Sequence, residues 1–165
     1  MPSPLRVSLL AFPLALLLVR AVSTQAPLRE AHADDDFTVR EEMVPMRDGV
    51  KLYTLILAPK DAPRPLPILL ERTPYDASTK FAPGTTRLSV AIGDRMLDGG
   101  YIFVFQDLRG RFRSEGDYAM YRVPRGAYNQ TATDETTDAW DTIDWLVKHV
   151  PANSGKVAVW GTSYP

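Results

Sequence analysis

The stretch KVAVWGTSY, residues 156–164, leads an apolar segment directly into a turn of small and polar residues. Valine and tryptophan in Lys156–Trp160 favour a β-strand, and the Gly161-Thr162-Ser163-Tyr164 sequence after it favours a sharp turn. A serine on a strained strand-to-helix turn is typical of a nucleophile elbow, where small residues two places before and after the serine let the backbone close up. Gly161 fills the first place, and the second is position 166. A Gly-x-Ser triplet arises about once by chance in a chain of this length, so its meaning depends on the preceding strand.

Four further strands are predicted upstream of this turn. Phe37–Pro45 alternates in polarity, Arg47-Asp48-Gly49 supplies a hairpin turn through its Asp-Gly pair, and Lys51–Ala58 is the returning strand. The short apolar runs Ile68-Leu69-Leu70 and Tyr101–Phe105 are typical of strands that are buried on both faces. These runs predict a sheet with a largely apolar centre.

Helices are predicted between these strands. Apolar residues at helical spacing favour a helix over Asp134–Val150, with Thr133 or Asp134 as its cap and Pro151 as its stop. A weaker helical pattern covers Leu88–Leu97, and a long polar excursion covers residues 106–133. Strands that alternate with helices indicate an α/β fold, with a mostly parallel sheet and helices on both faces.

The bulk composition is that of an ordinary globular chain, with 45% hydrophobic and 24% charged residues. The formal net charge of −1 provides no electrostatic footprint for nucleic acid or an anionic membrane. The chain has no cysteine, which excludes disulfides, thiolate metal sites and a cysteine nucleophile. We therefore expect a small-molecule partner.

The first 26 residues have the pattern of a signal peptide. Arg6 precedes an apolar run, Val7–Val19, which is followed by small residues at Ala21, Ser23 and Ala26. A spanning helix needs about 20 apolar residues, and Pro13 further disfavours an uncleaved anchor. The mature protein is therefore expected in the periplasm or outside the cell, with no membrane contact after the signal is removed.

A polar linker is expected over residues 27–36, between the signal peptide and the domain that begins at Phe37. Its Asp34-Asp35-Asp36 run lacks the spaced ligands and glycine turn of a calcium loop, so it is interpreted as a solvated tail. No metal or other cofactor is predicted.

Several ordered motifs resemble those of the X-prolyl dipeptidyl-peptidase/cocaine-esterase group, and most closely the α-amino-acid ester hydrolases. The matching motifs are Arg72-Thr73-Pro74-Tyr75-Asp76, Gly99-Gly100-Tyr101, Gln106-Asp107-Leu108-Arg109-Gly110 with Ser114-Glu115-Gly116, Thr137-Asp138-Ala139-Trp140-Asp141 and Gly161-Thr162-Ser163-Tyr164. The resemblance implies that residues 37–165 are the N-terminal part of an α/β-hydrolase catalytic domain. This part extends to the nucleophile elbow.

The resemblance also implies a role for three residues. Ser163 would be the nucleophile, and the oxyanion hole would be formed by the backbone N–H of Tyr164 and the phenol of Tyr75. Donors fixed at the future position of the oxyanion are what a tetrahedral intermediate requires. The structural alternative for Tyr75 is a half-buried tyrosine bound to a backbone carbonyl, and for Ser163 it is an ordinary turn hydroxyl.

A serine nucleophile needs a histidine base and an orienting carboxylate. In α/β-hydrolase order both follow the serine, so neither His32 nor His149 fits the role. The resemblance implies that the aspartate, the histidine, the carboxylates that bind a substrate ammonium and a jelly-roll domain lie beyond residue 165. Residues 1–165 alone are therefore expected to be inactive.

Other polar and aromatic residues suit either a role in the site or a structural role. Asp107, Arg109 and Arg111 suit either a substrate carboxylate site or, more commonly, a structural ion pair. Asp138, Asp141 and Asp144 recur every third residue, which predicts one solvated helix face without a metal. Trp140 and Trp145 are expected to pack in the core.

The complete protein is expected to hydrolyse or transfer acyl groups of α-amino-acid esters or amides, including β-lactam side chains, through an acyl-enzyme. Release of X-Pro dipeptides, a cocaine-esterase-like carboxylesterase and a glutaryl acylase are the alternatives within this class. An inactive remnant or a binding module is the alternative of another class. Homo-oligomerisation of the complete protein stays open.

The signal-peptide interpretation predicts that the mature chain begins between Ala21 and Leu28, because the short apolar run is followed there by small residues. N-terminal sequencing of the exported protein checks this. A chain that still starts at Met1 would contradict it.

Overall fold

The computed structural model describes residues 36–81, 96 and 99–164. Its elements in chain order are β1 (Phe37–Pro45), β2 (Lys51–Pro59), β3 (Leu66–Thr73), a short 3-10 helix (Ala77–Lys80), β4 (Ile102–Asp107), α1 (Glu135–His149) and β5 (Asn153–Val159). Apart from Asp36 and Met96, the signal peptide, the linker and the helix predicted over Leu88–Leu97 lie outside the described residues. Neither of the described helices is long and apolar enough to cross a membrane.

The five strands form one mixed sheet in the order β1-β2-β4-β3-β5. β2 pairs antiparallel with both β1 and β4, whereas β3 pairs parallel with both β4 and β5. β4 extends two residues past the predicted end, because Gln106 and Asp107 continue the ladder with Arg72 and Thr73. The α/β class is confirmed, and the parallel half of the sheet carries the segment that leads to Ser163.

The two faces of the sheet are packed by alternate residues of the same strands. One apolar cluster contains Leu55, Leu69, Phe103 and Phe105. The opposite cluster contains Ile56, Ile68, Leu70, Ile102 and Val104, together with Leu146 and Val150 of α1. Because successive side chains of a strand point to opposite faces, a fully apolar strand such as β4 is buried on both sides.

The boundaries of α1 follow from its capping residues, as the sequence predicted. The Asp134 carboxylate accepts a hydrogen bond from the Thr137 backbone N–H at 2.7 Å, and the Thr137 hydroxyl is 2.7 Å from the Asp134 backbone N–H. This capping box satisfies two N–H groups that have no partner within the helix. Val150 forms the C-cap with an extended backbone, and Pro151 follows it.

A buried polar chain ties the first turns of α1 to the ends of β3 and β4. The Gln106 amide oxygen accepts from Arg72 Nε at 2.9 Å and from the Thr142 hydroxyl at 3.0 Å. Arg72 Nη1 donates to the Glu135 carbonyl at 2.9 Å and lies 3.3 Å from its carboxylate. The helix N-terminus is therefore held at the carboxyl edge of the parallel strands.

A buried arginine, Arg109, joins α1 to the β1–β2 hairpin. Its guanidinium binds Asp138 through two hydrogen bonds of 2.6 and 2.9 Å and also binds Asp48 of the hairpin turn at 2.9 and 3.2 Å. Burial disfavours the ionised form of Asp48, but the bonds from Arg109 leave its pKa below the ordinary value.

The prediction that Asp138, Asp141 and Asp144 form one solvated face is wrong for two of the three. Asp138 is buried, Asp141 forms a bidentate pair with Arg47, and only Asp144 is exposed. A spacing of three residues falls about 60° short of a full turn at each step, so Asp138 and Asp144 lie about 120° apart around the helix. The expectation for Trp140 is also wrong, because 70% of this residue is exposed, whereas Trp145 packs against the core as predicted.

Loss of the Asp138 carboxylate should destabilise the complete gene product by about 3 kcal/mol, since it breaks a buried ion pair and leaves Arg109 undercompensated. Asp138→Asn tests this, with Asp144→Asn on the same helix as the matched control. Within the part of the chain that the structure describes, Asp144 forms one exposed ion pair, with Lys148, so its loss should cost less than about 0.5 kcal/mol. Urea unfolding measures both free energies. Equal effects would contradict the structural role of the Arg109–Asp138 pair.

Candidate active site

Ser163 lies on a strained turn directly after β5. The strand is anchored to β3 up to Trp160, whose backbone N–H donates to the Leu70 carbonyl at 3.0 Å. Ser163 has a φ of +73°, in the left-handed region that residues with a side chain seldom adopt. Such strain persists where the surrounding structure enforces it, and it is the backbone geometry of a nucleophile elbow. The turn leaves Ser163 exposed.

The phenol of Tyr75 reaches this serine from the loop after β3. Tyr75 Oη lies 3.3 Å from Ser163 Oγ, although 88 residues separate them in sequence. Among the described residues, the hydrogen-bond partner of the phenol is Ser163 Oγ and not the backbone carbonyl of the structural alternative. The structure therefore brings together the two side chains that the sequence resemblance paired.

Hydrogen bonds to both ends of its loop fix the position of Tyr75. The Thr73 hydroxyl accepts from the Tyr75 backbone N–H at 3.1 Å. The buried Asp107 carboxylate accepts from the Ala77 N–H at 2.7 Å and from the Arg113 N–H at 3.2 Å. Burial raises the pKa of Asp107. The chain around Tyr75 is thus fastened to the end of β4.

A largely buried ion pair joins the two ends of the same loop. Lys80 Nζ lies 2.8 Å from Glu71 Oε1. The pair links β3, which precedes Tyr75, to the 3-10 helix, which follows it. The other carboxylate oxygen of Glu71 and the indole N–H of Trp160 are both buried and have no hydrogen-bond partner among the described residues. Glu71 follows Leu70 and Trp160 follows Val159. Because Leu70 and Val159 are paired between β3 and β5, Glu71 and Trp160 lie side by side at the base of the candidate site.

Tyr164 contributes its side chain to the wall of the site. Its phenol accepts a hydrogen bond from the Tyr121 backbone N–H at 2.8 Å, and the two rings lie 4.9 Å apart. These contacts fix the residue that follows Ser163. The predicted role of the Tyr164 backbone N–H stays a prediction.

The loop after β4 folds back tightly and places its aromatic residues beside Ser163. Gly110 has a φ of +69°, and a Cβ at this position would lie 2.1 Å from the Tyr118 backbone nitrogen. Only glycine permits this approach. Ser114 and Glu115 cap the sheet edge through hydrogen bonds to Tyr53 and Lys51. The loop therefore both caps the sheet and lines the site.

Two pockets meet at Ser163. The first, of about 320 Å³, includes Tyr75, Arg111, Tyr118 and Tyr164 in its wall. The second, of about 530 Å³, lies beside the N-terminus of α1 and β5 and is lined by residues that include Arg72, Glu135, Ala139 and Val159. Ser163 therefore lines both pockets.

The structure separates the three polar residues that sequence reasoning grouped together. Asp107 and Arg109 are buried and make structural contacts with Ala77, Asp138 and Asp48. Arg111 instead lines the pocket that contains Ser163. The structural interpretation is therefore supported for the first two residues and not for the third.

His149 lies far from Ser163, in agreement with the expectation that it is not the base. It sits at the C-terminal end of α1, where it stacks on Trp145 at 4.7 Å and approaches the Trp145 carbonyl at 2.8 Å. Glu135, which lines the pocket, is at the other end of this 15-residue helix, so the separation along the axis is roughly 20 Å. His32 lies outside the described residues.

Sequence reasoning missed Tyr118, Tyr121 and Arg72 as residues of the site. The first two lie in an irregular loop, where spacing does not reveal which side chains face inward. Arg72 carried a usable signal, because an arginine two positions after the buried apolar run Ile68-Leu69-Leu70 must find a partner within the protein. Among residues 36–81 and 99–164 no three histidine or acidic side chains lie together in a way that could hold a metal ion.

Comparison with known proteins agrees with this geometry. The family model of the X-Pro dipeptidyl-peptidase (S15 family) matches residues 48–165. The cocaine esterase of Rhodococcus sp. (strain MB1 Bresler) is 37% identical over 132 residues, which cover 79% of this chain and 20% of that protein.

Solved structures give the same result. An α-amino acid ester hydrolase is 48% identical with a TM-score of 0.73, over 91% of this chain and 25% of that one. An aminopeptidase from the marine sediment archaeon Thaumarchaeota archaeon is 48% identical with a TM-score of 0.72, over 78% and 22% of the two chains. This chain therefore spans between a fifth and a quarter of the length of these relatives. Because the family model covers most of its residues, the chain belongs to the X-Pro dipeptidyl-peptidase (S15) and cocaine-esterase (CocE/NonD) family of hydrolases.

Proposed function

We propose that the complete protein is an exported serine hydrolase that forms an acyl-enzyme on Ser163. The observation that carries this proposal is the 3.3 Å approach of the Tyr75 phenol to Ser163 Oγ on a turn with positive φ. A turn hydroxyl without a catalytic role has no need of backbone strain or of a second hydroxyl held against it by an anchored loop.

Ser163 Oγ attacks the substrate carbonyl carbon, and the carbonyl oxygen becomes the oxyanion of a tetrahedral intermediate. The Tyr75 phenol, which already lies within hydrogen-bond range of Oγ, is placed to donate to that oxygen. The backbone N–H of Tyr164 is the second donor in this proposal. Donors that are fixed before the reaction stabilise the developing charge without reorganisation.

The serine also needs a base, which the described residues do not provide near the site. Their single histidine, His149, lies at the opposite end of α1. We assign the aspartate and histidine to positions after Ser163, in the order found in α/β-hydrolases.

The proposed substrates are esters and amides of α-amino acids, including the side chains of β-lactam antibiotics. This is supported by the 48% identity to proteins described as an α-amino acid ester hydrolase and as an aminopeptidase. Tyr121 and Tyr164 in the wall of the larger pocket provide aromatic surface for an apolar side chain of the acyl part. X-Pro dipeptide, cocaine-type and glutaryl substrates are the competing outcomes in a substrate panel.

Replacing Ser163 tests the proposed reaction in the complete gene product. Ser163→Ala should abolish covalent labelling by a fluorophosphonate and reduce hydrolysis of D-phenylglycine methyl ester by about 10⁴-fold or more, because the nucleophile cannot be bypassed. Ser154→Ala, on the exposed surface of β5, is the control and should leave both unchanged. Labelling that survives Ser163→Ala would place the nucleophile elsewhere. Faster turnover of Ala-Pro-p-nitroanilide than of the ester would favour the X-Pro alternative.

The oxyanion role of Tyr75 is tested by removing only its hydroxyl. Tyr75→Phe should keep the fold and lower kcat by about 10²–10³, the range for loss of one oxyanion donor. Tyr128→Phe is the matched control, since Tyr128 is 93% exposed and lies outside both pockets. Steady-state kinetics measure the effect, and circular dichroism checks the fold. An unchanged kcat in Tyr75→Phe would rule out the oxyanion role.

A further inference from the structure

Arg111 is a half-buried cation in the wall of the smaller pocket at Ser163. Within the part of the chain that the structure describes, five other arginines, Arg40, Arg47, Arg72, Arg109 and Arg113, each lie within 4 Å of a carboxylate oxygen. No carboxylate oxygen of the described residues lies within 4 Å of the Arg111 guanidinium. Its charge is therefore available to a ligand in the pocket.

The orientation of the guanidinium is fixed on three sides. Its Nε and Nη2 donate to the Pro74 carbonyl at 3.3 and 3.1 Å. The rings of Phe112 and Tyr118 each lie 4.9 Å from its central carbon. These contacts leave Nη1 without a protein acceptor among the described residues. A preorganised group of this kind loses little conformational entropy when it binds a ligand.

The pocket wall favours an anion over a cation. Its described lining contains Arg111, tyrosines, a methionine, a proline and Ser163, and no acidic side chain. A carboxylate would form charge-assisted hydrogen bonds with the guanidinium. An ammonium group would meet an uncompensated positive charge in the same position.

We propose that this pocket is the leaving-group subsite and that Arg111 binds a carboxylate on the amine or alcohol that departs. The inference rests on the proposed function and names the residue that selects, among its amide substrates, those whose amine part carries a carboxylate, such as dipeptides. The α-ammonium of the acyl part is repelled by Arg111, so the acyl part lies on the other side of Ser163.

Binding measurements test this inference without relying on turnover. The complete protein carrying Ser163→Ala is titrated by calorimetry with D-phenylglycylglycine and with D-phenylglycylglycinamide, which differ only in carboxylate against carboxamide. The acid should bind about 10- to 100-fold more tightly, the range for a hydrogen bond between charged groups. Adding Arg111→Gln should reduce this preference to about 2-fold or less, and Arg111→Lys should retain part of it. Arg125→Gln, at an exposed position outside this pocket, should leave it unchanged.

The outcomes separate this inference from its alternatives. Equal affinity for the acid and the amide, absence of binding of both, or a preference that survives Arg111→Gln would overturn it. If Arg111 only supports Pro74, its replacement weakens both ligands equally and leaves their ratio unchanged, which also overturns it. A preference that depends on Arg111, in a protein without Ser163-dependent hydrolysis, would support a carboxylate-binding site at Arg111 but overturn both its assignment as a leaving-group subsite and the proposed function.

Discussion

The buried carboxylate of Asp107 is the interaction on which the candidate site depends. It stands at the end of β4 and accepts one backbone N–H from Ala77, in the Tyr75 loop, and one from Arg113, in the following loop. No cation lies within ion-pair distance of it among the described residues, and burial raises its pKa. Its desolvation is offset by the two N–H groups, which a neutral or shorter side chain would satisfy less well. One carboxylate therefore holds the two loops that carry Tyr75 and Arg111.

Two residues later, Arg109 joins the other parts of the domain. Asp107 binds the loops of the site, whereas Arg109 binds Asp48 of the hairpin and Asp138 of α1. The Asp107-Leu108-Arg109-Gly110 motif therefore connects both loops of the site to the hairpin and to α1. Gly110 then permits the tight return of the chain toward Tyr118. The charged residues of this motif bind the protein itself, which explains why a substrate role fits Arg111 better than it fits either of them.

The local elements were predictable because their determinants are local. The Asp48-Gly49 turn, the apolar strands and the cap of α1 each depend on residues within a few positions of one another. Asp138 was misjudged because its partner, Arg109, is 29 residues away. A local signal was nevertheless present, since Asp138, Thr142 and Leu146 recur at four-residue spacing and all three are buried. Ser163 could be inferred from the strand and turn, whereas Tyr75 required the family resemblance, because 88 residues separate the two.

The parallel half of the sheet explains why residues so distant in sequence meet. β3, β4 and β5 run in the same direction, so the loops after Thr73, Asp107 and Val159 all leave from one edge. The N-terminus of α1 is held at this edge through Arg72 and Glu135. Ligands bind at such an edge in α/β sheets because several independent loops converge there. The strained turn of Ser163 is fixed by β5, whereas most of the wall of the smaller pocket comes from the loops after β3 and β4. Under the proposed reaction, a change at Arg111 would therefore alter which leaving group is accepted without disturbing the turn of Ser163, so the choice of substrate would be separate from the chemistry of the nucleophile.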